Sequence, residues 1–136
     1  LQTTLCIDFG NTLQKAAFFR GNQLSEVLPF SDDLPGSLLQ MLDRLQPDRA
    51  ILSSVIDHPK EIPALLGART AFHLLEAGVS KLSFSTPVGK PSTIGADRLA
   101  LCAAAVMMHP NQNNLIIGLG TAVTYNFMNV RNEFLG

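Results

Sequence analysis

Apolar and polar positions alternate early in the chain in short stretches that predict strands before helices. Leu5-Cys6-Ile7 is a short apolar run, followed by the polar, turn-prone Asp8-Phe9-Gly10-Asn11-Thr12. Apolar character returns over Lys15-Ala16-Ala17-Phe18-Phe19, Gly21-Asn22 reads as a hairpin turn, and Gln23–Phe30 reads as a third strand. The pattern predicts an antiparallel meander with a polar loop after its first strand. Leu34, Leu38, Leu39, Leu42 and Leu45 then lie on one face of a helix over Leu34–Leu45, stopped by Pro47. Ala50–Val55 predicts a short buried strand parallel to the first, Pro59–Leu66 a weak helix ended by Gly67, and Thr70–Leu74 and Lys81–Phe84 short strands. Ser85–Ser92 contains Pro87, Gly89 and Pro91 and reads as loop. Leu99–His109 predicts a helix, with Asp97 in or just before its first turn, Met107 and Met108 in its core, and Pro110 closing it. After the polar turn Asn111–Asn114 come a buried strand at Leu115–Ile117, a turn at Gly118-Leu119-Gly120-Thr121, and a strand over Ala122–Asn129. A third strand opens at Glu133–Gly136. Strands cluster early and alternate with helices later, which predicts a mixed α/β fold.

Composition narrows the classes. At 136 residues, 46% hydrophobic and 15% charged, the chain carries enough apolar surface for a core and is not a disordered segment. Ten Lys+Arg against eleven Asp+Glu leave a net charge of −1, with no cationic surplus for a nucleic-acid backbone. The longest apolar run, Leu99–Met108, is far short of the ~20 residues that span a bilayer, and no charged and apolar leader pattern opens the chain. Cys6 and Cys102 sit in apolar segments as buried thiols, which suits a reducing compartment and a cytoplasmic location.

Three segments carry candidate chemistry. In Asp8-Phe9-Gly10-Asn11-Thr12, a carboxylate at a strand end can hold a metal-bound water. Gly10 lets backbone N–H groups approach an anion, and Asn11 and Thr12 can donate from their side chains. The same residues also make an ordinary hairpin loop. Gly120-Thr121-Ala122-Val123-Thr124 is a second glycine-threonine turn between strands, and two such turns can hold the ends of a polyphosphate. A dinucleotide-fold reading of Gly118-Leu119-Gly120 fails, because Val123 stands where the third glycine belongs and a strand follows. In Gly95-Ala96-Asp97-Arg98, Asp97 is either a helix cap or a general base beside a guanidinium that fixes a substrate oxygen. Lys15 reaches a phosphate from the second strand or is a solvated strand residue. His58, His73 and His109 share no metal-ligand spacing, and Ser53-Ser54 has no partner base nearby in sequence.

These three segments, in this order and at these separations, resemble the motifs of the type III pantothenate kinases. That family lies in the actin/hexokinase/acetate-kinase superfamily, with a ribonuclease H-like fold in each of two halves. Its Gly-Ala-Asp-Arg motif is matched in full, preceded by Pro91 and followed by an Ala-rich helix, and Ala50–Val55 resembles its Ser-Val strand. The resemblance covers nearly the whole chain. It implies a ribonuclease H-like mixed sheet with flanking helices over residues 1–110, the first half of a two-domain kinase. Residues 111–136 would be the start of the second half, apparently truncated, since the family chain is about twice this long. It further implies phosphorylation of pantothenate by ATP and Mg²⁺ to 4'-phosphopantothenate, the first step of coenzyme A biosynthesis, in a homodimer with a K⁺ or NH4⁺ ion at the site. Carried over residue by residue, Asp97 is the proton acceptor, and Gly95, Ala96 and Arg98 contact pantothenate. Asp8, Gly10, Asn11 and Thr12 form the ATP-phosphate loop, with Asp8 near Mg²⁺, and Thr121 contacts ATP from the second loop.

The sequence departs from the family at particular positions. Gly118 stands where the family usually has the Asp that holds the monovalent cation, so that ion is not implied with the same force as the rest. Asn126 follows Tyr125 where the family tends to have Asp, and Val88 stands where an aromatic often contacts substrate. Gly118 and the chain's early stop favour a rival reading, a catalytically impaired homologue that binds a ligand or protein. A sugar or acetate kinase of the same superfamily is opposed by Gly-Ala-Asp-Arg ahead of the Ala-rich helix.

Overall fold

The computed structural model describes residues 1–87 and 89–136, so the reading of Val88 lies outside the described residues. Strands β1 (Thr3–Phe9), β2 (Gln14–Arg20) and β3 (Gln23–Pro29) form the expected meander. Helix α1 (Leu34–Leu45) leads to β4 (Arg49–Ser54), and α2 (Glu61–Arg69) leads to β5 (Ala71–Leu74). The sheet order is β3-β2-β1-β4-β5, with β1 antiparallel to β2 and parallel to β4, and β4 parallel to β5. A three-strand meander extended by two parallel crossovers is the ribonuclease H-like arrangement. Residues Leu1–Leu74 form one compact unit and Leu75–Gly136 another.

Period-two burial builds the core of the first unit. Leu5, Ile7 and Phe9 of β1, Ala16 and Phe18 of β2, and Ala50 and Leu52 of β4 turn to the face covered by Leu38, Met41 and Leu42 of α1 and Ile62 and Leu66 of α2. Asp33 caps α1, accepting from Gly36 N at 3.0 Å. The helix closes at Gln46, whose backbone is left-handed (φ 46°), immediately before Pro47. Asp48 clips the starts of β4 and β1 together, accepting from Thr3 N at 2.8 Å and Thr3 Oγ1 at 3.1 Å. The backbone hydrogen bond from Thr3, then the hydroxyl, hold its carboxyl below the ordinary value.

Helix α2 corrects the sequence reading. It starts at Glu61 rather than Pro59 and runs through Gly67 to Arg69. Gly67 faces open space and costs only about 1 kcal/mol against alanine, while Ile62 and Leu66 on the other side are fully buried. Thr70 ends the helix by turning extended and donating both its N–H (2.9 Å) and its hydroxyl (2.8 Å) to Leu66 O.

In the second unit, α3 (Ala96–Met108) packs on the antiparallel hairpin of β6 (Asn114–Leu119) and β7 (Val123–Met128). The predicted strand at Lys81–Phe84 is absent. Phe84 is buried, but only Ser85 finds a ladder partner, in a bridge to Glu133. Residues after Glu133 do run beside β7, with Leu135 N donating to Phe127 O and Phe127 N to Gly136 O, both at 2.9 Å. Helix α3 buries Ala96, Leu99, Cys102 and Val106, a single stripe. Met107 and Met108 fall outside that stripe and are exposed, contrary to the sequence reading. The β6 segment is likewise not a buried strand, because α3 covers only one face of the hairpin. Leu115, Ile117 and Leu119 on the other face are 63%, 49% and 83% exposed. Cys102 is buried, and burial pushes its thiol up to about 11. Cys6 is only partly buried, and burial raises its thiol pKa too. No helix among the described residues is long and apolar enough to cross a membrane.

Candidate active site

The first candidate loop leaves β1 at its carboxyl end, the edge where open α/β sheets take ligands. Gly10 N donates to Leu13 O at 3.0 Å, closing a tight turn, and Gln14 Nε2 donates to Gly10 O at 2.7 Å. A Cβ at Gly10 would stand 3.1 Å from Leu13 O, so the turn asks for glycine by close approach. Asn11 and Thr12 are exposed at its tip. Asp8, one residue before the end of β1, is cross-strand partner of Lys15 on β2, and Lys15 Nζ lies 3.1 Å from Asp8 Oδ2 with both side chains about half exposed. Lys15 thus pairs with the carboxylate at the end of β1.

Sequence reasoning missed two groups here. Ser53 is the register partner of Asp8 on β4, so the two side chains share a face of the sheet. Ser53 is buried, and its Oγ has no hydrogen-bond partner among the described residues. Ser54 has a base close by after all: His58 Nδ1 lies 3.0 Å from Ser54 Oγ. Since Ser54 Oγ donates its proton to Ile56 O at 2.9 Å, His58 is the donor to the serine, which braces the loop after β4 and does not activate a nucleophile. The i, i+4 spacing was the available signal.

The Gly-Ala-Asp-Arg segment enters α3. A short 3₁₀ turn at Pro91–Thr93 leads to Gly95, the N-cap residue, which offers no side-chain cap. Asp97 lies in the first turn, exposed, and its Oδ1 accepts from Arg98 N at 2.8 Å. A carboxylate there is favoured by the unpaired amides and the helix dipole. Its second oxygen makes no hydrogen bond among the described residues. The Arg98 side chain turns away from Asp97: Nε donates to Asn126 Oδ1 at 2.5 Å, and the guanidinium carbon lies 5.4 Å from the Phe134 ring centroid. Asn126 and Phe134, both buried, are further groups the sequence reading did not assign. The alternation of Thr124, Asn126 and Met128 along β7 was the signal for Asn126.

The Gly-Thr turn lies between β6 and β7, with Gly120 N donating to Ala122 O at 3.2 Å and Gly120 to Ala122 exposed. At Gly118 a Cβ would stand 2.6 Å from Thr124 Oγ1 and 3.0 Å from Leu101 Cδ1. The space that a longer side chain would take is filled by Thr124, the cross-strand partner of Gly118.

The profile of the family described as type III pantothenate kinase matches residues 4–136, all but the first three positions of the chain. The chain belongs to this family. Among its relatives, the type III pantothenate kinases of Christiangramia forsetii and Phocaeicola vulgatus are each 35% identical over 97% of the chain, and that of Porphyromonas gingivalis is 32% identical over the same share. The matched region is 55% of the first relative and 54% of the other two, so the chain spans about half the length of the relatives it matches. Among solved structures, YeaZ from Pseudomonas aeruginosa aligns over 100% of this chain and 65% of its own, with a TM-score of 0.41 and 9% identity.

Regarding ions, no group of three His, Cys, Asp or Glu side chains able to hold a metal occurs among the described residues. Asp8, half exposed and paired with Lys15 through Oδ2, still has Oδ1 to offer Mg²⁺, which keeps waters and binds through one or two carboxylates together with substrate phosphates. Gly118 does not fit a monovalent-cation site: it has no side-chain oxygen and its Cβ direction is occupied.

Proposed function

We propose that the protein transfers the γ-phosphoryl group of ATP to the terminal hydroxyl of pantothenate, giving 4'-phosphopantothenate, the first step toward coenzyme A. The observation that carries this reading is the full Gly-Ala-Asp-Arg motif in the first turn of α3, with one Asp97 oxygen held by the helix and the other unengaged among the described residues. The unengaged oxygen takes the hydroxyl proton as the substrate oxygen bonds to phosphorus and the bond to the β-phosphate oxygen breaks, releasing ADP. Arg98, with Gly95 and Ala96, contacts pantothenate. Asp8, Gly10, Asn11, Thr12 and Lys15 form the loop that meets the ATP phosphates, and Thr121 contacts ATP from the turn after β6. Asp8 would hold Mg²⁺, which when bound would supply charge neutralisation on the phosphates, the dominant need in phosphoryl transfer. Residues 1–110 correspond to the first ribonuclease H-like half of the enzyme and residues 111–136 to the start of the second, in a cytoplasmic homodimer.

Gly118 favours one other reading, a family member that binds its ligand without turning it over. A coupled ADP-release assay on the whole protein, with pantothenate, glucose and acetate in turn, separates the two. Release with pantothenate alone supports the kinase. Release with none of the three supports the binding protein.

A further inference from the structure

Arg98 belongs to the first turn of α3, yet the group that fixes it comes from β7. Asn126 is fully buried, and it holds Arg98 Nε through Oδ1. An arginine Nε–H can only donate, so the amide oxygen of Asn126 must face it and the amide nitrogen must face the other way. That nitrogen donates to Ile116 O at 3.3 Å and to Thr124 Oγ1 at 3.5 Å, which fixes the amide at both ends. Phe134 supports the guanidinium from one side. The two terminal nitrogens of Arg98 carry no hydrogen bond or ion pair among the described residues. Rotation is thus stopped at Nε while the terminal fork stays open to an acceptor.

We propose that Asn126 is a positioning residue for substrate binding, holding Arg98 so that its terminal N–H groups face pantothenate. The proposal rests on the pantothenate kinase reading, in which Arg98 contacts that substrate.

Two variants of the whole protein test it. Asn126→Leu keeps the volume and removes the acceptor. Asn126→Asp keeps the acceptor but sets an oxygen against the Ile116 carbonyl. The KM for pantothenate rises roughly tenfold or more in the leucine variant, the size of one lost hydrogen bond to a charged group. Its kcat and its KM for ATP stay within about twofold, since only Arg98 is released. In the aspartate variant the KM for pantothenate stays within about threefold, because the bond to Nε survives. Thermal stability ranks the two the other way, aspartate below leucine, because an oxygen buried against the Ile116 carbonyl is worse than a buried methyl group. A KM that follows stability instead would overturn the positioning role. An independent readout is hydrogen exchange of the Arg98 Nε–H NMR signal, assigned by its loss in Arg98→Lys. It is protected in the wild type and in Asn126→Asp and exchanges freely in Asn126→Leu. Protection retained in the leucine variant overturns the proposal, as does lost protection with an unchanged pantothenate KM. If the wild type releases no ADP with pantothenate, the kinase reading fails, and the exchange comparison still decides whether Asn126 holds Arg98.

Discussion

Asp97 sits where a carboxylate has two uses, and the geometry divides them between its oxygens. Oδ1 accepts from the Arg98 amide, which it shares with the Gly95 carbonyl, and Oδ2 is the oxygen assigned to the substrate proton. Asp97→Asn keeps the shape and the amide contact but cannot accept the proton. We predict a kcat lowered by ~10²–10⁴-fold with ATP affinity unchanged, measured by steady-state rates and calorimetric titration of nucleotide. The Asp8–Lys15 pair makes a different prediction. It is half exposed, so its contribution to folding is at most about 1 kcal/mol. Lys15→Met should shift the urea midpoint hardly at all while raising the KM for ATP, and a large loss of stability would mark Lys15 as structural. The identities of these residues were legible in the sequence because they lie within contiguous motifs. Asn126, Phe134 and Ser53 were not, because their roles depend on partners 28, 36 and 45 positions away that only strand register and helix packing bring near.

At the scale of elements, the bounds of α1 were readable because Leu38 and Leu42 lie on one buried face and its stop signal, Pro47, is local, although Leu39, read onto that face, is exposed. The start holds a testable detail. Asp33 caps the helix, and a Cβ on Gly36 would stand 2.0 Å from Asp33 Oδ2. Alanine usually gains about 1 kcal/mol over glycine inside a helix. Gly36→Ala should instead come out near neutral in urea denaturation, since the ~1 kcal/mol of a broken cap cancels that gain. A stabilised variant would show that the cap tolerates the methyl group. Helix α2 and the Lys81–Phe84 segment were misread for the opposite reason. Whether Gly67 ends a helix, or a short apolar run becomes a strand, is decided by burial of Ile62 and Leu66 and by a missing ladder partner, which are tertiary facts. In the β6–β7 hairpin, Gly118 packs against Thr124 and leaves no side-chain oxygen for a cation. The pantothenate-dependent rate should therefore be the same in K⁺ and Na⁺ at equal ionic strength. A rate that collapses in Na⁺ would place a potassium site elsewhere in the protein.

At the scale of the molecule, the sheet order β3-β2-β1-β4-β5 was foreshadowed by the early meander, the single parallel strand after α1 and the family resemblance. The outward face of β6 was not, since Leu115–Ile117 reads the same whether one face or both are covered. Family membership rests on a match across residues 4–136, whereas the reaction rests on what the motif residues do together in the whole protein. Phosphorus NMR and mass spectrometry of the product that the whole protein forms from ATP and pantothenate test this most directly. The account predicts a phosphomonoester on the terminal hydroxyl of pantothenate, formed in step with ADP and suppressed in Asp97→Asn. Inorganic phosphate with unmodified pantothenate, or full product from Asp97→Asn, would contradict it.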